Sequence, residues 1–222
     1  ATGVTYIDAK GEEVFQPADL VVLAAYQFHN VHLMLLSGIG KPYAPDTGEG
    51  VVGKNYAYQM TGGTSLFFKD VNFNPFVGAG SSATVIDDFS VNQVDFGKKG
   101  FIGGSYISSG QFNGQPIRSM ALPPGTPAWG AGWKKGIKEW YGHSMSISSH
   151  GSNMSYRDCY LDLDPTYRGK YGQPMLRLTF DWKPNDIRMT QFMRSKIEPI
   201  AKSMNPTNWA SGYKGDGAHY DV

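Results

Sequence analysis

The chain has 222 residues, with 20 Lys and Arg against 19 Asp and Glu for a formal charge of +1. That length holds one sizeable core, or one domain with part of another, and without a concentrated basic footprint nucleic acid is excluded as a partner. The 28 Gly and 13 Pro follow no period, which excludes a collagen-like chain, while 13 Tyr, 12 Phe and 5 Trp supply the apolar area that disordered chains lack.

Gly3-Val4-Thr5-Tyr6-Ile7-Asp8 and Glu13-Val14-Phe15-Gln16 flank Ala9-Lys10-Gly11-Glu12, which predicts a hairpin with Gly at the turn. Leu20-Val21-Val22-Leu23-Ala24-Ala25 is continuously apolar and β-branched, the pattern of a strand buried on both faces. Residues 30–37 read as a short helix, apolar nearly all round and stopped by Gly38-Ile39-Gly40. Pro42, Pro45 and several glycines then mark a connection. Strands are expected at 64–69, 83–87, 101–108, 144–149, 158–162 and 175–181.

Two further helices follow. Thr126-Pro127 predicts a capped start with proline at the first helical position, running to about residue 141, with Lys134, Lys135 and Lys138 interleaved with Trp133 and Trp140. The second begins at Pro184-Asn185 and carries Met189, Phe192, Met193, Ile197, Ile200 and Met204 on one stripe, with Pro199 expected to kink it. The fold class is α+β: an antiparallel sheet with helices on one side, preceded by a small α/β piece.

The single cysteine, Cys159, permits neither an intrachain disulfide nor a thiolate metal cage and reads as a small buried hydrophobe. No membrane span is expected, because the longest apolar run, Val31 to Leu36, is broken by His32. The chain opens Ala-Thr-Gly, without a leader, and closes on Tyr220-Asp221-Val222, so both ends are expected to be cuts through a longer polypeptide.

Gly48-Glu49-Gly50-Val51-Val52-Gly53 has the letters of a dinucleotide fingerprint, but a Pro-rich loop precedes it and no helix start follows, so it reads as a connection. His29 and His32 stand three apart with no local third ligand, so hydrogen-bonding roles are expected. Ser148-Ser149-His150-Gly151-Ser152-Asn153, at a strand end, suits equally an ordinary polar loop or the lining of a sugar pocket. Asp87-Asp88 and Asp162 with Asp164 read as turn-capping groups. No nucleophile elbow or HExxH is present.

The run from Leu20 through Ala25-Tyr26-Gln27-Phe28-His29-Asn30 to Ser37-Gly38-Ile39-Gly40 resembles the second signature of the glucose–methanol–choline (GMC) oxidoreductases, in which a strand beside FAD leads into a Leu-rich helix closed by Ser-Gly-Ile-Gly. The usual Ala-Gly and Ser/Thr-Pro positions are here Ala25-Tyr26 and His29-Asn30, similar to the branch of gluconate 2-dehydrogenase, sorbitol dehydrogenase and FAD-dependent glucose dehydrogenase large subunits. Gly50-Val51-Val52-Gly53-Lys54-Asn55, Val85-Ile86-Asp87-Asp88-Phe89, Phe101-Ile102-Gly103-Gly104, Tyr160-Leu161-Asp162-Leu163-Asp164-Pro165 and the run from Tyr171 to Asp181 extend the likeness.

This resemblance implies residues 1–55 as part of an FAD-binding domain, 56–204 as a substrate-binding domain and 205–222 as a connection back. It implies FAD as cofactor, with Ala25, Tyr26 and Asn30 nearest to it, and oxidation of a hydroxyl of a sugar, sugar acid or polyol. Tyr56, Tyr58, His150 and Asn153 are the candidate substrate-binding residues, and Arg118, Arg157 and Arg177 the candidates for a substrate carboxylate. The family's first fingerprint and catalytic histidine would lie outside this chain; His219 is not in that motif. The fragment is expected to be inactive alone, with no catalytic residue and no metal ligand of its own. Cytochrome c and small subunits of a periplasmic, membrane-associated complex are the implied partners. The alternative is a carbohydrate-binding or subunit-docking domain without catalysis.

Overall fold

The computed structural model describes residues 1–74, 83–93, 95–111 and 120–213. In chain order the elements are β1 (Gly3–Ile7), β2 (Glu13–Pro17), α1 (Gln27–Leu36), β3 (Gln59–Phe67), β4 (Ala83–Ile86), β5 (Ser105–Gln111), α2 (Gly130–Trp140), β6 (Ser144–Ser152), β7 (Tyr160–Arg168), β8 (Pro174–Thr179), α3 (Pro184–Ser203) and β9 (Asn208–Gly212). They form two compact units, one of residues 1–56 with 156–180, the other of residues 57–155 with the chain from 181 onward. The fold is α+β, with antiparallel sheets and few helices.

In the first unit β1 and β2 pair antiparallel from Gly3↔Pro17 to Ile7↔Glu13. Their turn is tied by Asp8, whose Oδ1 accepts the N–H groups of Lys10 and Glu12 at 2.8 and 2.9 Å. Helix α1 ends in a Schellman motif: Gly38 takes φ +63°, its N–H donates to Leu35 O, and the Ile39 N–H donates to Met34 O at 2.9 Å. The helix lies against the β7–β8 hairpin. Residues 156–180, which a linear reading runs together with 57–155, group with this unit because their backbone is tied to it. Leu161 N–H donates to Gly53 O and Tyr56 N–H to Cys159 O, both at 2.8 Å.

Residues 20–25 correct the sequence expectation. They form no strand, and Leu20 and Val22 are 79% and 74% exposed. A strand needs a neighbour to pair its backbone; β1 and β2 pair only with each other, and no described strand runs beside residues 20–25. For the same reason α1, apolar nearly all round, has no buried residue.

The second unit is a five-stranded antiparallel sheet in the order β4-β5-β6-β3-β9. Alternation sends Leu66, Ile107, Met145 and Ile147 to one face, where α3 covers them with Met193, Ile197 and Ala201. Met60, Phe101 and Met189 extend this core. Helix α3 has proline in its first turn as expected and runs on through Pro199, but it closes at Ser203, which leaves Met204 of the predicted stripe exposed. Residues 208–212, expected in a connection, form β9 and pair with β3.

Helix α2 starts later than expected. Thr126 does not cap it: its hydroxyl and N–H both donate to Pro123 O, at 2.7 and 3.1 Å, closing a turn there. Gly130 at φ +76° then breaks the backbone direction, so the helix begins at that residue. At the helix's other end Trp140 meets Phe67 edge-on, ring centroids 5.7 Å apart.

Candidate functional site

The face of the five-stranded sheet opposite α3 is built from small polar groups. Thr61, Gly63 and Ser65 of β3 stand opposite His150, Ser148 and Ser146 of β6, which in turn face Tyr106, Ser108 and Gly110 of β5. Ser108 and Ser148 hydroxyls lie 3.3 Å apart across the strands. Strand alternation explains the division: the same strands that send Leu66, Ile107 and Ile147 into the core must send Ser65, Ser108, Ser146 and Ser148 to the opposite face.

At one end of this face Tyr106 and His150, cross-strand partners, stack with ring centroids 5.6 Å apart and planes 9° from parallel. Beside them opens a cleft of about 460 Å³ lined by residues that include Gln59, Asp87, Ser90, Tyr106, His150 and Ser152, within the range of small-molecule sites, about 300–1,000 Å³. Its wall depends on Gly104. A Cβ at that position would fall 2.4 Å from Val91 N and 3.0 Å from Ser90 C, so only a bare α-carbon lets the turn through Ser90 and Val91 cross so close. Ser105 N–H donates to Phe89 O and Ser152 N–H to Gly104 O, both at 2.9 Å, which fixes the wall to the sheet.

The structure sorts the four candidate substrate residues. His150 lines the cleft. Tyr58 is exposed, and its N–H donates to Asn153 Oδ1 at 2.9 Å. Asn153 is therefore a brace for the entry to β3, with its Nδ2 buried and without an acceptor among the described residues. Tyr56 is buried in the first unit, its ring 5.3 Å from Phe28 and 5.6 Å from Phe180.

Of the candidate cations, Arg177 is committed to Asp162. Its Nε donates to Oδ1 at 2.8 Å and its Nη2 to Oδ2, and this carboxylate raises the guanidinium further above its ordinary value. Arg118 and His219 lie outside the described residues. Asp164 accepts the N–H groups of Tyr167 and Thr166 at 2.8 Å each, which lowers its carboxyl below the ordinary range, as a turn-capping group should be. His32 contacts Pro174 O and His143 contacts Val71 O, both at 2.7 Å. Cys159 is fully buried. Among the described residues no group of three or more His, Cys, Asp or Glu could hold a metal ion.

Ala25, Tyr26 and Asn30 come together in one turn. Asn30 Oδ1 accepts the Ala25 N–H at 2.8 Å, and Tyr26, at φ 69° and ψ 155°, precedes a helix start that no side chain caps. That conformation is sparsely populated for a residue with a side chain and calls for support. Asn30 supplies it, so its carbonyl shapes the turn. The first turn of α1 has no side-chain cap, and Tyr26 is 65% exposed.

Tyr106 and Gln59 escape sequence reasoning, and Asp87 reads there only as a turn-capping group; only the strand register makes Tyr106 the neighbour of His150.

No family model matches the chain. It is 53% identical, over 223 residues, to the gluconate 2-dehydrogenase flavoprotein of Pantoea cypripedii, an alignment covering 100% of this chain and 36% of that protein. It is 23% identical, over 207 residues, to the 2-methyl-1,2-propanediol dehydrogenase of Mycolicibacterium austroafricanum, covering 92% of this chain and 37% of the relative. The chain thus spans about a third of the length of the curated relatives it matches. Along its whole length it is similar to one stretch of a gluconate dehydrogenase flavoprotein.

Proposed function

We propose that this chain is part of an FAD-dependent dehydrogenase of the GMC family that oxidises a hydroxyl of a sugar, sugar acid or polyol, and that it contributes the substrate-binding sheet. The observation that carries this reading is the 53% identity, over 100% of this chain, with a gluconate 2-dehydrogenase flavoprotein. The geometry supports it. Sugars need dense hydrogen-bonding groups beside an aromatic face, and the second unit offers a polar sheet face with a Tyr–His stack at one end. FAD, when bound, accepts the hydride released from the carbinol carbon. This chain's share is to hold the nucleotide at the turn of Ala25, Tyr26 and Asn30, and to orient the substrate with the sheet face.

Exposed apolar residues of the first unit, among them Phe15, Leu20 and Val22 at 56%, 79% and 74%, support a further stretch of the same polypeptide packing there. On this reading the proton acceptor for the substrate hydroxyl belongs to that polypeptide, and the chain alone is inactive. The same reading places the enzyme in a periplasmic, membrane-associated complex with cytochrome c and small subunits.

The test is anaerobic titration of the full-length flavoprotein with gluconate, glucose and sorbitol. Bleaching of the oxidised-flavin band by at least one of them is expected, with no turnover by the 222-residue chain alone. A full-length protein without flavin, or one whose flavin none of these alcohols reduces, refutes the reading.

A further inference from the structure

We infer that the cleft beside Tyr106 and His150 is a subsite for the uncharged, hydroxylated end of a polyol chain, with Tyr106 as the residue that sets its specificity. The inference rests on the dehydrogenase reading for its place in catalysis, but not for binding itself.

Three observations converge on this cleft. First, the stacked rings stand side by side on the sheet, and Tyr106 leaves 41% of its surface exposed, an apolar platform for the C–H groups of a sugar chain. Second, the Gln59 amide, the Asp87 carboxylate and the Ser90 and Ser152 side chains surround that platform with both donors and acceptors. Third, among the described residues the lining carries one carboxylate, Asp87, beside the His150 imidazole, and no lysine or arginine. An anionic headgroup entering here would meet the Asp87 carboxylate, a like-charge contact that disfavours it. The hydroxylated end of a sugar acid fits, and its carboxylate is held away from this cleft. The wall itself is rigid, because Gly104 lets the turn through Ser90 and Val91 pack directly on the sheet backbone.

Saturation-transfer NMR on the protein, with sorbitol and gluconate as separate probes, tests this without requiring turnover. Transfer to both probes is expected, strongest in gluconate at the hydroxymethyl end. Tyr106→Ala should weaken binding about 3- to 10-fold, the scale of one aromatic contact, whereas Tyr106→Phe keeps the ring and should retain it. Asp87→Asn should raise the affinity for gluconate relative to sorbitol. Absence of transfer to either probe, strongest transfer at the carboxylate end, or Tyr106→Ala binding like wild type while remaining folded would overturn the inference. The dehydrogenase reading fails separately. If the full-length flavin is reduced by gluconate with an unchanged KM in Tyr106→Ala, the subsite falls and the enzyme stands. If binding is lost in Tyr106→Ala but no alcohol reduces the flavin, the subsite stands as a binding site without that chemistry.

Discussion

Gly104→Ala isolates the close approach that builds the cleft. Gly104 does not take a positive φ, so the substitution meets no backbone penalty, and its whole effect comes from the added methyl. That methyl would fall 2.4 Å from Val91 N and 3.0 Å from both Ser90 C and Val91 Cα, all backbone atoms that cannot rotate away. The turn must move outward by the better part of an ångström, stretching the Ser105 N–H to Phe89 O bond of 2.9 Å. Overpacking of this kind costs about 1–3 kcal/mol, and for a chain of this size each kcal/mol lowers Tm by about 2–4 °C. Gly110→Ala, in β5, which begins right after Gly104, has no atom within 4 Å of the new methyl; it is the control and should stay within about 0.5 kcal/mol of wild type. Thermal melts of the three proteins, with sorbitol affinity measured alongside, decide the matter. Equal stability and equal affinity for Gly104→Ala and Gly110→Ala would refute the argument that this glycine fixes the wall.

Other outcomes follow from the same structure. Ile197→Ala removes a fully buried side chain from the α3–sheet core and should cost about 2–5 kcal/mol in chemical denaturation. Asp164→Asn should lower Tm at neutral pH, because the folded hairpin favours the ionised carboxyl through the N–H groups of Tyr167 and Thr166. That contribution is complete above the ordinary value of 3.8 and lost as pH falls through the lower folded value, so the gap between the two melts should close on acidification. The Cys159 thiol, fully buried, should resist a bulky thiol reagent in the native protein and react at once in denaturant; rapid native labelling would contradict the packing of β7 against the segment around Gly53.

The local chemistry of the chain was open to reading from residues alone. The Gly11 turn, the Ser-Gly-Ile-Gly stop of α1, the proline start of α3 and its Met189, Met193 and Ile197 stripe all formed as expected, because each depends on neighbours within a turn or two of the helix or hairpin. What depended on distant partners was not. An apolar run at residues 20–25 carries strand propensity, but propensity cannot supply a hydrogen-bonding neighbour, and the run stays irregular and exposed. Tyr56 looks like any polar aromatic in sequence, and only Phe28 and Phe180 closing around it make it core. The candidate site divides the same way. His150 announced itself by its polar company, whereas Tyr106 became its partner through the pairing of β5 with β6, a register set by which faces of both strands must be buried. Local pattern thus determined the turns, the helix stops and the apolar stripe of α3; tertiary packing decided which runs pair as strands and which polar side chains meet, since that depends on contacts many residues apart that no local pattern encodes.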